Sequence, residues 1–109
     1  MVTYIFDGTM AGLLSCIFRA FQFKEFEVKI VTSDQRQDTL FDETIIVPTN
    51  DEQAQRVWQG LKQKVSGNGI RNFYYSFLSE QRVAIQHLFN FSVYVFQSAR
   101  PVDRDYGHR

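Results

Sequence analysis

The fold is decided by a strand–turn–helix stretch near the start of the chain, TYIFDGTMAGLLSCIFRAF, residues 3–21. Residues 3–6 are β-branched or aromatic, and such residues favour a strand. Asp7 and Gly8 end that strand, and Asp7 is also a preferred N-cap for a helix. Apolar residues then recur at the three-and-four spacing of one helix face: Met10, Leu13, Leu14, Ile17, Phe18 and Phe21. We therefore expect a strand followed directly by a helix that packs on the sheet.

A second strand–helix pair lies near the middle of the chain. Residues 44–47 (TIIV) are β-formers, and Pro48 closes the run because proline interrupts a strand ladder. Thr49 and Glu52 stand three residues apart, as in a capping box, and predict that a helix begins there. Its apolar residues fall on one stripe: Ala54, Val57, Trp58, Leu61 and Val65. Residues 28–31 (VKIV) form a shorter candidate strand between the two pairs.

Two further helices complete the predicted fold. Residues 66–69 (SGNG) break the second helix, and a fourth helix runs from about residue 81 to residue 97. Between them, a third helix carries Ile70, Phe73, Tyr74, Phe77 and Leu78 at helical spacing. The predicted class is α/β (α+β), with a small sheet of two or three short strands, a crossover helix and three further helices packed as a bundle. We expect residues 1–98 to form a single domain, followed by a polar tail or the start of a missing C-terminal part at 99–109.

The composition limits the classes of function. Aromatic residues make up 16% of the chain, and 11 of its 109 residues are Phe. This is more aromatic surface than one small core hides, so some of it should lie at an interface with a ligand or another chain. Lysine plus arginine equals aspartate plus glutamate, 12 against 12. A free-standing nucleic-acid binder usually carries a basic excess, so any DNA contact must come from a local patch or from parts outside this chain.

Residues that usually carry catalysis or bind metals are sparse. Cys16 is the single cysteine, which excludes an internal disulfide and a cysteine-based metal site and favours a buried thiol. His87 and His108 have no metal-ligand spacing. The DGT turn at residues 7–9 could hold a phosphate at a helix start, but glycine-rich nucleotide motifs are absent and a capped turn is favoured. We therefore predict no metal and no cofactor, and the sequence identifies no catalytic residue.

No export or membrane signal is evident. The first residues, MVTYIFD, lack a basic segment followed by an apolar segment of signal-peptide length. No apolar run approaches the ~20 residues that a membrane helix needs. We therefore expect a cytoplasmic protein without a membrane partner.

The strongest candidate binding surface lies between residues 56 and 82. Tyr75 falls off the apolar stripe of the third helix, which makes it the aromatic residue we expect to be functional. Five basic residues lie in or near the second and third helices: Arg56, Lys62, Lys64, Arg71 and Arg82. Positive charge attracts phosphate and a ring can stack on an unpaired base, so this pattern is typical of a single-stranded nucleic-acid contact. The alternatives are a solvated helix face above an aromatic core, and a contact with a partner protein.

Two blocks of sequence resemble a known bacterial family. The first is YIFDGTMAGLL (residues 4–14) with IFRAF (17–21), and the second is RVWQGL (56–61) leading to FYYSFLSE (73–80). Together they resemble a family of DNA-metabolism or DNA-repair proteins of unknown function. The likeness runs from residue 3 to about residue 94 and continues weakly through 102–107. Family members are considerably longer, so the chain resembles their N-terminal part.

The resemblance implies a place in DNA repair or DNA modification. Family members are typically encoded beside a radical-SAM protein, and some are fused to a uracil-DNA-glycosylase-like domain. An accessory domain that binds DNA, such a partner, or both is therefore implied, without any catalytic residue. Two alternatives stay open: a fragment of an enzyme whose active site is completed by a missing C-terminal part or by the partner, and a structural or oligomerisation domain. A basic stripe would favour DNA, a flat apolar patch a protein partner, and a deep polar cleft an enzyme.

Overall fold

The strand and helix patterns of the sequence produce an α/β architecture with a small parallel sheet and four helices. The structure is a computed structural model that describes residues 2–35, 43–79 and 82–98. Its elements are, in chain order, β1 (Val2–Phe6), α1 (Met10–Phe23), β2 (Val28–Thr32), β3 (Glu43–Ile46), α2 (Asp51–Lys64), α3 (Gly67–Leu78) and α4 (Arg82–Gln97). A short 3₁₀ turn, Ser33–Gln35, follows β2. The predicted fold class is confirmed.

The chain divides into two compact units, Met1–Val57 and Trp58–Arg109. The first unit contains the sheet, α1 and the first half of α2, and the second contains the rest of α2 with α3 and α4. The prediction of one domain over residues 1–98 stays a prediction. The polar stretch at residues 33–38 predicts a loop, and its residues 36–38 lie outside the described part of the chain. A start of the fourth helix at Gln81 and the polar stretch 99–109 lie outside it as well.

The sheet places β1 between β2 and β3, and all three strands run parallel. Tyr4 of β1 lies level with Ile30 of β2 and with Ile45 of β3. Parallel neighbours need a crossover connection, which α1 provides between β1 and β2. The two principal predicted strands are therefore confirmed as neighbours in one sheet, and the shorter candidate at residues 28–31 is its third strand.

Helix α1 is buried over a wider surface than its apolar stripe predicts. Leu13, Leu14 and Ile17 are buried as expected, whereas Phe18 and Phe21 are only half-buried. The small residues of the helix are buried as well: Gly12, Ser15, Cys16 and Ala20. Burial around so much of the circumference is typical of an interior helix.

The two helices that begin in the first unit use different caps from those predicted. Thr9, not Asp7, caps α1, because its hydroxyl accepts a hydrogen bond at 3.0 Å from the backbone amide three residues further on. Asn50, not Thr49, caps α2, because its side-chain oxygen accepts the equivalent bond at 2.9 Å. In both cases the residue next to the helix takes the capping role. Asp7 and Thr49 are then available to hydrogen-bond each other.

The second unit is helical and is built from the end of α2 with α3 and α4. A side-chain carbon at Gly60 would come within 2.8 Å of the Phe96 ring, so the glycine allows α4 to approach α2 closely. Trp58 meets Phe73 edge-on, with ring centroids 6.0 Å apart. The buried apolar side chains of this unit are Leu61, Val65, Phe73, Ile85, Leu88, Phe89, Val93 and Val95.

Helix α3 begins earlier than the sequence predicts. The break is confined to Val65 and Ser66, and Gly67 is already the first residue of the helix. Ser66 caps it by accepting a hydrogen bond from the Gly69 amide at 3.1 Å, which offsets the weak helix propensity of the glycines. A side-chain carbon at Gly69 would lie 2.3 Å from Val65, so the tight turn between α2 and α3 requires a glycine there.

Candidate functional site

One exposed face of α3 combines aromatic, apolar and basic side chains. It is formed by Arg71, Tyr74, Tyr75 and Leu78, and we call it the α3 face. These positions are three, four and seven residues apart, so they lie on one side of the helix. Tyr74 is 47% exposed, Tyr75 61% and Leu78 52%, and Arg71 is exposed beside them. The two tyrosine rings have centroids 6.2 Å apart and are inclined by 59°.

Tyr74 and Leu78 share the helical spacing of the apolar residues of α3, but the structure exposes both. Only Phe73 is buried, and Ile70 and Phe77 are half-buried. Five apolar positions in a helix of 12 residues exceed what one face can bury against a neighbour. The excess of aromatic residues in the sequence indicated that some would be exposed. The three-and-four spacing of Tyr74 and Leu78 from Arg71 and Tyr75 is the signal that could have identified them.

The predicted basic residues separate into two groups, of which the first is exposed in the second unit. Arg71 lies one helical turn before Tyr75, so the structure brings these two predicted residues onto the same face. Lys62 is exposed near the end of α2, and Arg82 is exposed as the first residue of α4. Each of these three cations is open to solvent and to a ligand.

The other two predicted cations already have partners. Lys64 is half-buried and donates a hydrogen bond to the Ser98 carbonyl at 3.1 Å, which ties the ends of α2 and α4 together. Arg56 belongs to the first unit, where its guanidinium lies 3.5 Å from the carboxylate of Glu52, one turn earlier. Neither charge is as free to meet a phosphate as that of Lys62 or Arg71.

Charge is divided unequally between the two units. Residues 1–57 contain five basic and nine acidic residues, whereas residues 58–109 contain seven basic and three acidic residues. The zero net charge of the chain therefore conceals a negative first part and a positive second part. A surface of one sign attracts an oppositely charged ligand over roughly a Debye length, ~8 Å at physiological salt.

On its other side, α3 lines an open apolar cleft of about 260 Å³. The lining residues are Val65, Gly69, Asn72, Phe73, Ser76, Leu88 and Phe91. None of them carries a titratable side chain, so the cleft offers contact surface but no group for acid–base catalysis.

The carboxyl edge of the sheet gathers a second set of polar residues. We call Asp7, Thr9, Thr32, Asp34 and Thr49 the carboxyl-edge cluster. Successive strands lie on opposite sides of β1, and α/β proteins often bind ligands at the carboxyl ends of strands at such a point. Here, however, Thr9 and Thr49 each donate a hydroxyl hydrogen bond to Asp7 at 2.6 Å, and Thr32 donates to Asp34. The carboxylates of the cluster are therefore already hydrogen-bonded within the protein.

Within this chain, the Asp7 carboxylate is held by hydrogen bonds that support the fold. Partial burial raises its pKa, but the hydrogen bonds from Thr49 and Thr9 outweigh this effect and hold the pKa of the carboxyl below its usual range. A side-chain carbon at Gly12 would lie 2.2 Å from the Asp7 Oδ1 atom, so the glycine lets the carboxylate rest against α1. Through Thr49 the carboxylate joins the end of β1 to the segment that follows β3.

Cys16 is not an activated nucleophile. Its side chain is fully buried, and burial together with the charge of Asp7 raises the pKa of the thiol to about 12. A nucleophilic cysteine needs a lowered pKa, so the thiol is protonated and inert at neutral pH. The prediction of a buried thiol is confirmed.

A further polar group, which sequence reasoning missed, lies beneath α1. Tyr4 is fully buried and donates a hydrogen bond to the Glu25 carboxylate at 2.5 Å. Burial and Glu25 raise the pKa of the Tyr4 hydroxyl. The guanidinium of Arg19 lies 4.3 Å from the centre of the Phe23 ring, and its Nε atom lies 4.0 Å from Glu25. Because Tyr4 is inaccessible, this group holds α1 and the following turn against β1 rather than binding a ligand.

Metal binding and membrane insertion find no support in the described part of the chain. His87 is exposed on α4, and His108 lies outside the described residues. Within residues 2–35, 43–79 and 82–98, no three His, Cys, Asp or Glu side chains are grouped so that they could hold a metal ion. None of the helices described there has the length and apolar character that crossing a bilayer requires.

Comparison with protein-family models, with curated proteins and with solved structures gave no match. The resemblance to a DNA-repair family stays a hypothesis drawn from the two sequence blocks. The functional proposal accordingly depends on that resemblance and on the surface that the chain presents.

Proposed function

We propose that this chain is an accessory DNA-binding domain of a cytoplasmic bacterial DNA repair or DNA modification system. Its second unit contacts DNA phosphates through the exposed side chains of Lys62, Arg71 and Arg82. The observation that carries the proposal is the division of charge, since residues 58–109 contain seven basic and three acidic residues, against five and nine in residues 1–57. The sequence resemblance supplies the biological setting.

Few phosphate contacts make such a domain a weak binder by itself. For single strands, log Kobs falls with log[salt] by about 0.7 for each phosphate neutralised. Three exposed cations therefore predict modest affinity that disappears at high salt. A second binding element on a linked enzyme would raise the overall affinity by effective concentration, which is the advantage of an accessory domain.

The partner we propose is a radical-SAM-type enzyme or a uracil-DNA-glycosylase-like domain. The resemblance places both in DNA modification or repair, and this chain would hold such a partner on DNA. Co-expression of the chain with a radical-SAM-type protein of the kind encoded beside members of the resembled family tests this part. We expect the pair to co-purify, with the complex retained on DNA at a salt concentration that releases the chain alone.

The DNA contact is tested by replacing Lys62, Arg71 and Arg82 together with Ala. We expect affinity for a fluorescent single-stranded oligonucleotide to fall by about tenfold or more at low salt. The slope of log Kobs against log[salt] should shrink by about 2, because three contacts of ~0.7 each are lost. Fluorescence anisotropy at several salt concentrations measures both quantities.

Arg56→Ala is the matched control, because it removes a cation that is already paired with Glu52. Its affinity and salt slope should equal those of the parent chain. The proposal is wrong if the triple variant keeps the parental slope, or if Arg56→Ala reduces affinity as much as the loss of the three exposed cations.

A second candidate function is an enzyme completed by another chain or by further sequence. The observation that favours it is the position of Asp7 at the carboxyl end of the central strand, where many α/β enzymes place functional groups. In this case Asp7→Asn should abolish turnover by the assembled system while leaving DNA affinity unchanged. Full turnover by that variant would remove the candidate, with a urea-unfolding curve to confirm that the variant is folded.

A further inference from the structure

We infer that the α3 face selects unpaired bases, so that the DNA bound by this chain is single-stranded rather than duplex. This inference rests on the proposed function, because it names the form of DNA which the second unit takes. The carrying observation is the juxtaposition of two exposed tyrosine rings with Arg71 and Leu78 on one side of α3.

An aromatic side chain that stays in water forgoes the favourable free energy of burial, so the exposure of these two rings calls for an explanation. Tyr75 is 61% exposed and Tyr74 is 47% exposed, although the same helix buries Phe73 at 3%. Helix α3 thus packs one face into the core and presents large side chains to solvent on another. Contiguous exposed apolar groups with polar neighbours mark a contact surface.

The dimensions of the face suit a short single strand. From position 71 to position 78 an α-helix rises ~10 Å, at ~1.5 Å per residue. A stacked strand rises ~3.4 Å per nucleotide along its axis and an unstacked strand extends further, so the face is long enough for at most about three nucleotides. The rings of Tyr74 and Tyr75 are inclined by 59°, so each offers its own face to a separate base and they do not form one flat stack.

The charge of the surroundings favours a nucleic acid as the occupant. Arg71 lies one turn before Tyr75, where its guanidinium can pair with the phosphate of a base stacked on the ring. Helix α3 itself contains no acidic residue. Charge complementarity therefore points to a polyanion, and the rings point to a polyanion with accessible base faces.

Duplex DNA fits the same surface less well. The base faces of a duplex are already stacked on one another, so a tyrosine ring can touch only the edges of the bases and gains no stacking energy. Binding to duplex DNA without base readout depends almost entirely on phosphate contacts. The second unit exposes only Lys62, Arg71 and Arg82 among the predicted cations, so stacking must supply the preference.

The test compares single-stranded and duplex affinity in tyrosine variants of the full chain. The probes are a fluorescent 12-mer of thymidine and a duplex of the same length, measured by anisotropy. Tyr75→Ala and Tyr74→Ala should each weaken single-strand binding by about 5-fold to 150-fold, the equivalent of ~1–3 kcal/mol per stacked base, and leave duplex binding unchanged. Tyr75→Phe retains the ring and should bind like the parent.

Phe23→Ala is the matched aromatic control. Phe23 is 53% exposed, but it belongs to the first unit and Arg19 lies over its ring. Its removal should leave single-strand affinity unchanged. Circular dichroism of every variant checks that the helices remain folded, which is expected because the substituted side chains are exposed.

Two results would overturn the inference and are distinguishable from failure of the proposed function. Equal affinity of parent and Tyr75→Ala for the single strand, with salt-sensitive binding retained, would show that charge alone binds DNA. Unchanged single-strand affinity with loss of partner co-purification in Tyr75→Ala would assign the α3 face to a protein. Absence of salt-sensitive binding in the parent chain would reject the proposed function itself.

Discussion

The carboxyl-edge cluster and the α3 face both lie at the protein surface, yet they treat their functional groups in opposite ways. At the carboxyl edge, Asp7 is hydrogen-bonded by Thr9 and Thr49. On the α3 face, Tyr75 remains 61% exposed and Arg71 is open to solvent. Polar residues at the carboxyl edge of a parallel sheet, where ligands often bind, can instead stabilise the fold. The side chains without such a structural use are the better candidates for binding.

The largest expected loss of stability comes from a substitution in the interior of the first unit. Ile17 is fully buried on α1, so Ile17→Ala should reduce the free energy of unfolding by about 2–5 kcal/mol. Urea denaturation followed by circular dichroism measures the change. A loss under about 0.5 kcal/mol would mean that Ile17 is at the surface, and the packing of α1 would have to be revised.

A pair of glycine variants sharpens the contrast between the two units. Gly12→Ala would place a carbon 2.2 Å from the Asp7 carboxylate, so we expect destabilisation of about 1–3 kcal/mol. Gly67→Ala meets no atom within 4 Å, and it should be neutral or stabilising by up to about 1 kcal/mol, because Ala is the better helix former. Equal effects of the two substitutions would indicate that Asp7 does not rest against α1.

The pH dependence of stability isolates the structural role of Asp7. The pKa of its carboxyl is lowered in the folded protein, so its stabilising contribution is present above its ordinary value of 3.8 and is lost as pH falls through the lower folded value. The difference in free energy of unfolding between the parent and Asp7→Asn should therefore be largest near neutral pH and narrow in acid. A difference that stays constant between neutral pH and pH 2 would disagree with this role.

The smallest effect on stability is expected on the α3 face. Tyr75→Ala and Leu78→Ala remove exposed side chains, so each should change the free energy of unfolding by less than about 0.5 kcal/mol. The same urea titration serves for both. A large loss would mean that these side chains support the fold, and the reason for regarding them as binding residues would be gone.

Much of the fold could be predicted because hydrophobic periodicity and turn-forming residues depend only on neighbouring positions in the sequence. The β-formers at residues 3–6 and 44–47, with the apolar spacing of Leu13 and Ile17, indicated strands joined to helices. Helix caps were predicted less well. In the sequence, Asp7 and Thr49 are both acceptable N-caps. In the structure they hydrogen-bond each other, and Thr9 and Asn50 cap the two helices instead.

The candidate site was predictable only in part. Tyr75 was identified because it lies off the apolar stripe, and Arg71 because it is one of the basic residues of that region. Tyr74 and Leu78 were missed, since their exposure depends on which side of α3 meets α4. In the sequence, Lys64 and Arg56 look equivalent to Lys62. Lys64 meets Ser98 through the packing of helix ends, and Arg56 meets Glu52 because the two lie one turn apart on the same helix.

A titration of the full chain with a thymidine 12-mer, followed through the backbone amide NMR shifts, shows directly whether the α3 face binds unpaired DNA. We predict that the largest shift changes fall on α3, at Arg71, Tyr74 and Tyr75, and that Asp7 and Thr49 of the carboxyl-edge cluster stay unperturbed. Changes centred on the carboxyl-edge cluster, or no change at any amide at low salt, would contradict the claim that the α3 face binds unpaired DNA.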